Sequence, residues 1–338
     1  MYKPQYIIDL IAANTKNTGN PLGIPNSEVN VWWKGVNIDI KEGKERKRDV
    51  MLFTGLLYQL SPYIAKIVDH LYKFEETAVE KLIWTTKITK IPKIAKILPK
   101  TLVKAFLSVS KEERDYYNGI VRKIADILVK FGVNFCYRPE IDNYSGILLY
   151  ELGDDEGFAE HASLVAKALE KEGIKKIITI DPHTTYALKV LYPEYINFDL
   201  EVRVYFEMLE LSDLNCPIKK PDNIDIMPMP MPITLHDPCY YGRYVEISDI
   251  PRKILESLEI EYVDVRNSGK LTSCCGGPIE SLTPRLSEAI AKNRIEELKR
   301  TKCQIATMCP ICLANLRRVS PDPLDIAEII WRAINGQT

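Results

Sequence analysis

Hydrophobic and polar positions change pattern several times along the chain. Residues 1–48 show little periodicity, and Asn14, Asn17, Gly19, Asn20, Pro21 and Pro25 mark turns. The segment reads as an extended arm laid against a partner. Val50-Met-Leu-Phe-Thr-Gly55 reads as a buried strand ending at a glycine, and 62–76 as a helix. The stretch from about 77 to 110 is rich in Lys, Ile, Leu and Val, with no acidic residue from Trp84 to Ser108. Two readings stand for it: a basic surface for a membrane face or an acidic partner, or a helical insertion packed on the core with its lysines in water, the ordinary meaning of an amphipathic stripe.

From Glu112 onward strands and helices alternate. A helix over 112–131 precedes a strand at Asn134–Arg138, and a helix over 156–173 precedes a strand at Lys176–Ile180. This order predicts a parallel sheet with crossover helices. Residues 213–231 interrupt it with Pro217, Pro221, Pro228 and Pro230, and Pro232 follows at the border; this is the expected linker. The second half repeats the scheme. Strands are expected at Ile233–His236, Ile260–Val265 and Gln304–Met308. Helices are expected at Pro251–Leu258, at Pro284–Lys299 after the cap-type Thr283, and from Pro310 to Val319. The expected organisation is an arm (1–48), a first module (49–212) carrying the insertion, a linker (213–231) and a second module (232–338), all of α/β class with small, mainly parallel sheets.

Composition narrows the function. A chain of 338 residues suggests about two domains. A hydrophobic content of 46% argues against disorder. With 45 Lys+Arg against 46 Asp+Glu, the net charge of −1 provides no basic field for nucleic acid. No stretch approaches the roughly 18 apolar residues of a membrane span, and Met-Tyr-Lys-Pro-Gln-Tyr is not a secretory signal. The expectation is a soluble, cytoplasmic protein whose membrane contact is at most peripheral.

The eight cysteines carry the chemistry. Cys136 and Cys216 stand alone, whereas Cys239, Cys274, Cys275, Cys303, Cys309 and Cys312 crowd the last third. In a long cytosolic chain such a cluster reads as metal or redox ligands rather than disulfides. Cys239 follows the first strand of the second half, Cys274 and Cys275 the second, and Cys309 and Cys312 the third. Ligands collect at the carboxyl ends of parallel strands, so three loops deliver five thiols to one sheet edge. Cys303 precedes its strand and reads as a core thiol. Cys309-Pro-Ile-Cys312 turns into a helix N-terminus, which favours thiolate. Adjacent Cys274 and Cys275 suit a multi-iron cluster, and Gly276 and Gly277 let the backbone fold closely around it. Structural zinc remains an alternative, since four of the five could form a thiolate tetrahedron.

The halves overlay. Ile177-Ile-Thr-Ile-Asp181-Pro-His-Thr184 falls on Ile305-Ala-Thr-Met-Cys309-Pro-Ile-Cys312, and Asn143-Tyr-Ser-Gly146 on Ser273-Cys-Cys-Gly276. The chain thus reads as a duplicated module whose first copy has Asp181, Thr184, Tyr144 and Ser145 in place of thiols.

His236-Asp-Pro-Cys239-Tyr-Tyr-Gly-Arg243, Ser273-Cys-Cys-Gly-Gly277 and Cys309-Pro-Ile-Cys312 resemble the cysteine-rich CCG domain of heterodisulfide reductase. Two such domains occur in the B and D subunits of that enzyme and in iron–sulfur subunits of glycolate, lactate and glycerol-3-phosphate dehydrogenases. The resemblance spans roughly residues 50–320 and is weaker over 50–200. It implies a noncubane 4Fe–4S cluster held by Cys239, Cys274, Cys275, Cys309 and Cys312, and redox chemistry on a small thiol, a disulfide or protein-bound sulfur. Leu56 stands at the first cysteine position of the first module, so a second cluster is not expected there. The ferredoxin-type Cys-x2-Cys-x2-Cys-x3-Cys runs are absent from this sequence, which implies electrons delivered by a ferredoxin-like iron–sulfur subunit and a flavoprotein subunit. The pattern is closest in shape to the B-like subunit of sulfur-oxidising heterodisulfide reductase-like complexes. Two alternatives stand beside it: an electron-transfer subunit of a flavin-linked hydroxyacid or glycerol-3-phosphate dehydrogenase, and a zinc-stapled, non-catalytic assembly subunit.

Other residues complete the expected site. His236 reads as a proton donor to a departing thiolate, as a hydrogen-bond donor to cluster sulfur, or as structural. Arg243 reads as a contact for an anionic substrate or a helix end. His183, beside Asp181, reads as part of a metal or substrate site or as a hydrogen-bonded remnant. His70 and His161 read as structural, and Tyr240, Tyr241 and Tyr244 as packing that excludes water.

Overall fold

A computed structural model describes residues 4–36, 49–74, 108–210 and 231–336. Nearly all of the linker at 213–231 and of the insertion at 77–110, and Cys216, lie outside the described residues.

Six strands among the described residues form two three-stranded parallel sheets of the same order. The first is β1 (Val50–Phe53), β2 (Lys176–Thr179) and β3 (Glu201–Val204), with Val50 opposite Lys176 and Lys176 opposite Glu201. The second is β4 (Ile233–His236), β5 (Gln304–Thr307) and β6 (Leu324–Asp325), with Ile233 opposite Gln304 and Ala306 opposite Leu324. The central strands β2 and β5 are buried beyond their first residue, as parallel strands with covered faces are, whereas β3 leaves Glu201 exposed. Successive side chains leave opposite faces. Leu52, Ile178 and Ala306 therefore enter one apolar cluster, and Met51, Ile177 and Ile305 the other. Both clusters draw residues from both sheets. The helix Leu57–Phe74, which follows β1, packs on Lys111–Lys130 but also on Pro284–Lys299 and Pro310–Arg317 of the second half.

The α/β class and the parallel sheets are as expected; several elements differ. Pro4–Thr18 is a helix rather than part of an extended arm. It packs on the helices Ile147–Glu151 and Asp155–Lys171 of the same chain, and Lys16 pairs with Glu160 at 3.0 Å. Trp32 is fully buried, with Arg122 Nε donating to its carbonyl at 2.6 Å, so this segment covers the first module's own core. Asn134–Arg138 and Ile260–Val265 are not full strands. Each makes a single parallel bridge to the first strand of its sheet, Cys136 to Met51 and Tyr262 to Ile233. The helix expected at 62–76 starts at Leu57 and runs through Pro62; the Ser61 hydroxyl bonds back to the Leu57 carbonyl instead of capping a start. The helix Ile326–Ile334 adds to the expected elements. Asp325 and Glu328 close a capping box at its start.

Candidate metal centre

The second module's three loops converge. After β4 comes Asp237-Pro-Cys239, leading into a wide helical turn at Tyr240–Tyr244. Before Cys274 the chain makes a short turn at Gly269–Leu271, and after Cys275 it reverses at Gly276, where φ is +88°. A Cβ on Gly276 would lie 2.5 Å from the Ser287 carbonyl oxygen, so only glycine fits. After β5, Cys309 caps the helix Pro310–Arg317, its sulfur accepting from the Cys312 amide at 3.4 Å. Two further amides point at sulfur: Gly276 N–H at Cys274 (3.2 Å) and Gly277 N–H at Cys275 (3.4 Å). Cys275, Cys309 and Cys312 are buried, whereas Cys239 and Cys274 are half-buried, so the group opens toward solvent on their side. Cys136 lies in the apolar core, and Cys303 bonds its own neighbour, the Thr301 carbonyl.

These thiols share protons. Hydrogen bonds from Cys274 and Cys312, with a contribution from His236, hold Cys275 well below the ordinary thiol range, and Cys274 and Cys312 are raised correspondingly. Burial pushes Cys309 up, but Cys312 and the His183 ring outweigh it and bring the thiol down to about 6. Cys239 lacks such donors and burial lifts it to about 12. The surroundings thus favour the thiolate form at Cys275 and Cys309, the form in which a thiol binds metal.

His236 is buried at the end of β4. One of its ring nitrogens forms with the Sγ atoms of Cys275 and Cys312 a set lying within 4.8 Å of one another, and its Nε2 has no hydrogen-bond partner in the protein. Arg243 is exposed, and its guanidinium donates to the Thr272 carbonyl on the loop that enters Cys274. Tyr241 is fully buried and Tyr240 nearly so, while Tyr244 is 56% exposed.

The repeat holds in backbone terms at two of the three loops. Gly146 takes φ +84°, matching Gly276, and Asp181 caps its helix as Cys309 does, accepting from the amides of His183 and Thr184 at 2.9 Å. The third differs: Leu56 is left-handed (φ +61°), whereas Cys239 has φ −56°. Leu56, Tyr144, Ser145, Asp181 and Thr184 are all fully buried, and none carries a thiol.

Sequence reasoning undervalued His183. Its Nδ1 lies 3.7 Å from Cys309 Sγ, and its Nε2 lies 4.0 Å from Glu151, which accepts from the Tyr240 hydroxyl at 2.6 Å. Burial works against its charge, but the Cys309 thiolate beside it, then Glu151 and Asp181, raise the ring to about 10. The first half of the chain therefore brings an imidazole against the thiols of the second half. The available signal was the overlay itself, which places the Asp181 loop where Cys309-Pro-Ile-Cys312 stands.

The donor set fits an iron–sulfur cluster: five thiols from three loops, backbone amides aimed at sulfur, and a buried nitrogen without a partner. Soft thiolates of this kind select zinc, copper or iron–sulfur groups, and adjacent cysteines favour a body with several metal atoms.

Residues 233–317 match the family model described as the cysteine-rich CCG domain. Over 210 residues, 59% of its length, the chain is 28% identical to the D subunit of the dihydromethanophenazine:CoB–CoM heterodisulfide reductase of Methanosarcina barkeri, covering 50% of that protein. It is 32% identical over 229 residues to the probable iron–sulfur-binding oxidoreductase FadF of Bacillus subtilis, a match that takes in 64% of this chain and 32% of that one. It is 26% identical over 251 residues to the EtfAB:quinone oxidoreductase of Syntrophomonas wolfei, 69% of this chain and 34% of that protein. The chain is similar to heterodisulfide reductase subunits and related iron–sulfur oxidoreductases, and spans between about a third and a half of the length of these relatives. Among the described residues no helix is long and apolar enough to cross a membrane.

Proposed function

We propose that Cys239, Cys274, Cys275, Cys309 and Cys312 hold one noncubane 4Fe–4S cluster, and that the chain is the sulfur-reacting subunit of a heterodisulfide reductase-like complex. The observation that carries this is the convergence of the adjacent Cys274 and Cys275 with the Cys309 and Cys312 pair, three of the four thiols buried. The cluster supplies single electrons to a sulfur substrate whose disulfide needs two electrons and two protons. The half-buried Cys239 and Cys274 mark the side on which a small thiol, a disulfide or protein-bound sulfur approaches. Arg243, exposed between these two loops, meets an anionic substrate group there, and His236 and His183 provide N–H groups toward the sulfurs. Partner subunits, of ferredoxin-like and flavoprotein type, complete the electron path.

Anaerobically purified full-length chain should be brown and contain about four irons and comparable sulfide. Stoichiometric zinc without iron would replace this reading by the zinc-stapled assembly subunit. A second redox reading, electron transfer in a flavin-linked system, takes support from the relative named EtfAB:quinone oxidoreductase. Turnover of small disulfides by the reduced chain distinguishes the two, since a pure electron carrier shows none.

A further inference from the structure

His236 Nδ1 accepts a hydrogen bond from Arg294 Nε at 3.0 Å. Arg294 is itself buried, and its Nη1 is fixed by the Asn267 carbonyl (3.0 Å) and the Glu297 carboxylate (2.6 Å). A guanidinium has donors only, so the polarity of the Arg294 bond is determined: Nδ1 presents its lone pair. The neutral ring then carries its hydrogen on Nε2, which has no hydrogen-bond partner in the protein, and the ring stands beside Cys275 and Cys312. Metal-bound histidines show the opposite arrangement, the remote nitrogen donating to a carboxylate or carbonyl and the near one offering its lone pair to the metal.

We propose that Arg294 is a positioning residue that locks His236 in its Nε2–H tautomer, so that His236 is a hydrogen-bond donor to the sulfurs of Cys275 and Cys312 and not a metal ligand. The second half of this statement rests on the cluster proposed above; the tautomer does not. A donor at that place stabilises the more negative, reduced state of a sulfur-ligated cluster and raises its potential.

The test uses the full chain labelled with 15N-histidine, in two states. In the metal-free chain, the nitrogen spectrum of His236, assigned by its loss in His236→Gln, should show hydrogen on Nε2 alone. Arg294→Lys should keep that signature, and Arg294→Leu should mix the tautomers. A wild-type ring with its hydrogen on Nδ1 overturns the proposal whether or not either variant folds. In the iron-loaded chain, pulsed EPR should give only weak coupling to histidine nitrogen. His236→Leu should keep its iron but move to a more negative potential, and His236→Gln, whose amide still donates, should return toward the wild-type value. Strong, directly bonded nitrogen coupling, or loss of iron in His236→Leu, would make His236 a ligand and sink the proposal. A chain that never takes up iron refutes the cluster reading, while the metal-free spectrum still decides the tautomer.

Discussion

The Nδ1 of His183 lies 3.7 Å from the Sγ of Cys309, so a residue of the first half of the chain touches the thiol group of the second half. His183 is buried, and the Glu151 and Asp181 carboxylates each come within 4.0 Å of its ring. This loop therefore has a present use: it brings a histidine ring nitrogen to a thiol of the cysteine loop. Because His183 is a neighbour of Cys309 rather than a ligand, His183→Leu should leave iron content unchanged and make the cluster potential more negative. A hydrogen bond worth about 1.4 kcal/mol corresponds to about 60 mV in a one-electron couple. An EPR-monitored redox titration measures the shift, and an unchanged potential would leave His183 a packing residue.

Cys275 sits at the centre of the thiol set, touching the hydrogen-bond systems of Cys274, Cys312 and His236. Its Sγ is buried, and its loop is held independently by the Asn315 amide on its carbonyl at 2.6 Å. Cys275→Ser should therefore abolish the cluster's visible absorption while far-ultraviolet circular dichroism remains near that of the wild type. Retained absorption with full iron would remove Cys275 from the ligand set.

Much of this site was legible in the sequence because its signals are local. Strand ends, Cys-Cys-Gly-Gly and Cys-x-x-Cys each report their own backbone, and parallel strands carry their loops to a common edge. The same logic made the repeat visible, and Gly146 and Gly276 share a left-handed backbone as the overlay implies. What escaped depends on distant partners. The helix at Pro4–Thr18 confines its helically spaced apolar residues to Ile7–Ala13 and is held by tertiary contacts with the helices Ile147–Glu151 and Asp155–Lys171. Cys136 and Tyr262 read as strand residues, but each has one bridge only, since pairing needs a continuous partner. Arg294 lies in a helix whose limits the sequence shows, yet nothing in its neighbours tells that it reaches His236, 58 residues away.

The two left-handed glycines allow a direct comparison. A Cβ on Gly276 would meet the Ser287 carbonyl oxygen at 2.5 Å, and one on Gly146 the His161 ring at 2.9 Å. Both positions are strained for any L-residue, so Gly276→Ala and Gly146→Ala should each lose about 1–3 kcal/mol of stability in chemical denaturation. Only Gly276→Ala disturbs the turn after Cys275, whose sulfur accepts from the Gly277 amide. It alone should lower iron content. Equal iron loss in both variants would show that loading follows global stability rather than the geometry of this turn.

Asp325 links the two halves: its carboxylate accepts from the Tyr58 hydroxyl at 2.7 Å and from the Ala327 amide at 2.9 Å, at the start of the last helix. Burial outweighs these bonds and raises its pKa from 3.8 to about 7. A carboxyl that holds its proton more tightly folded than unfolded contributes stability that is complete below about pH 4 and is lost as the pH rises through about 7. At about 1.4 kcal/mol for each unit, the loss is on the order of 4 kcal/mol. Asn at this position keeps an acceptor for the Ala327 amide and a polar group facing Tyr58, but has no charge to desolvate. Asp325→Asn should therefore be less stable than or equal to the wild type at pH 4 and more stable at pH 8, with a flatter profile between. Denaturation midpoints across that range measure the difference, and parallel profiles for the two proteins would show that Asp325 is already ionised at no cost in the folded chain.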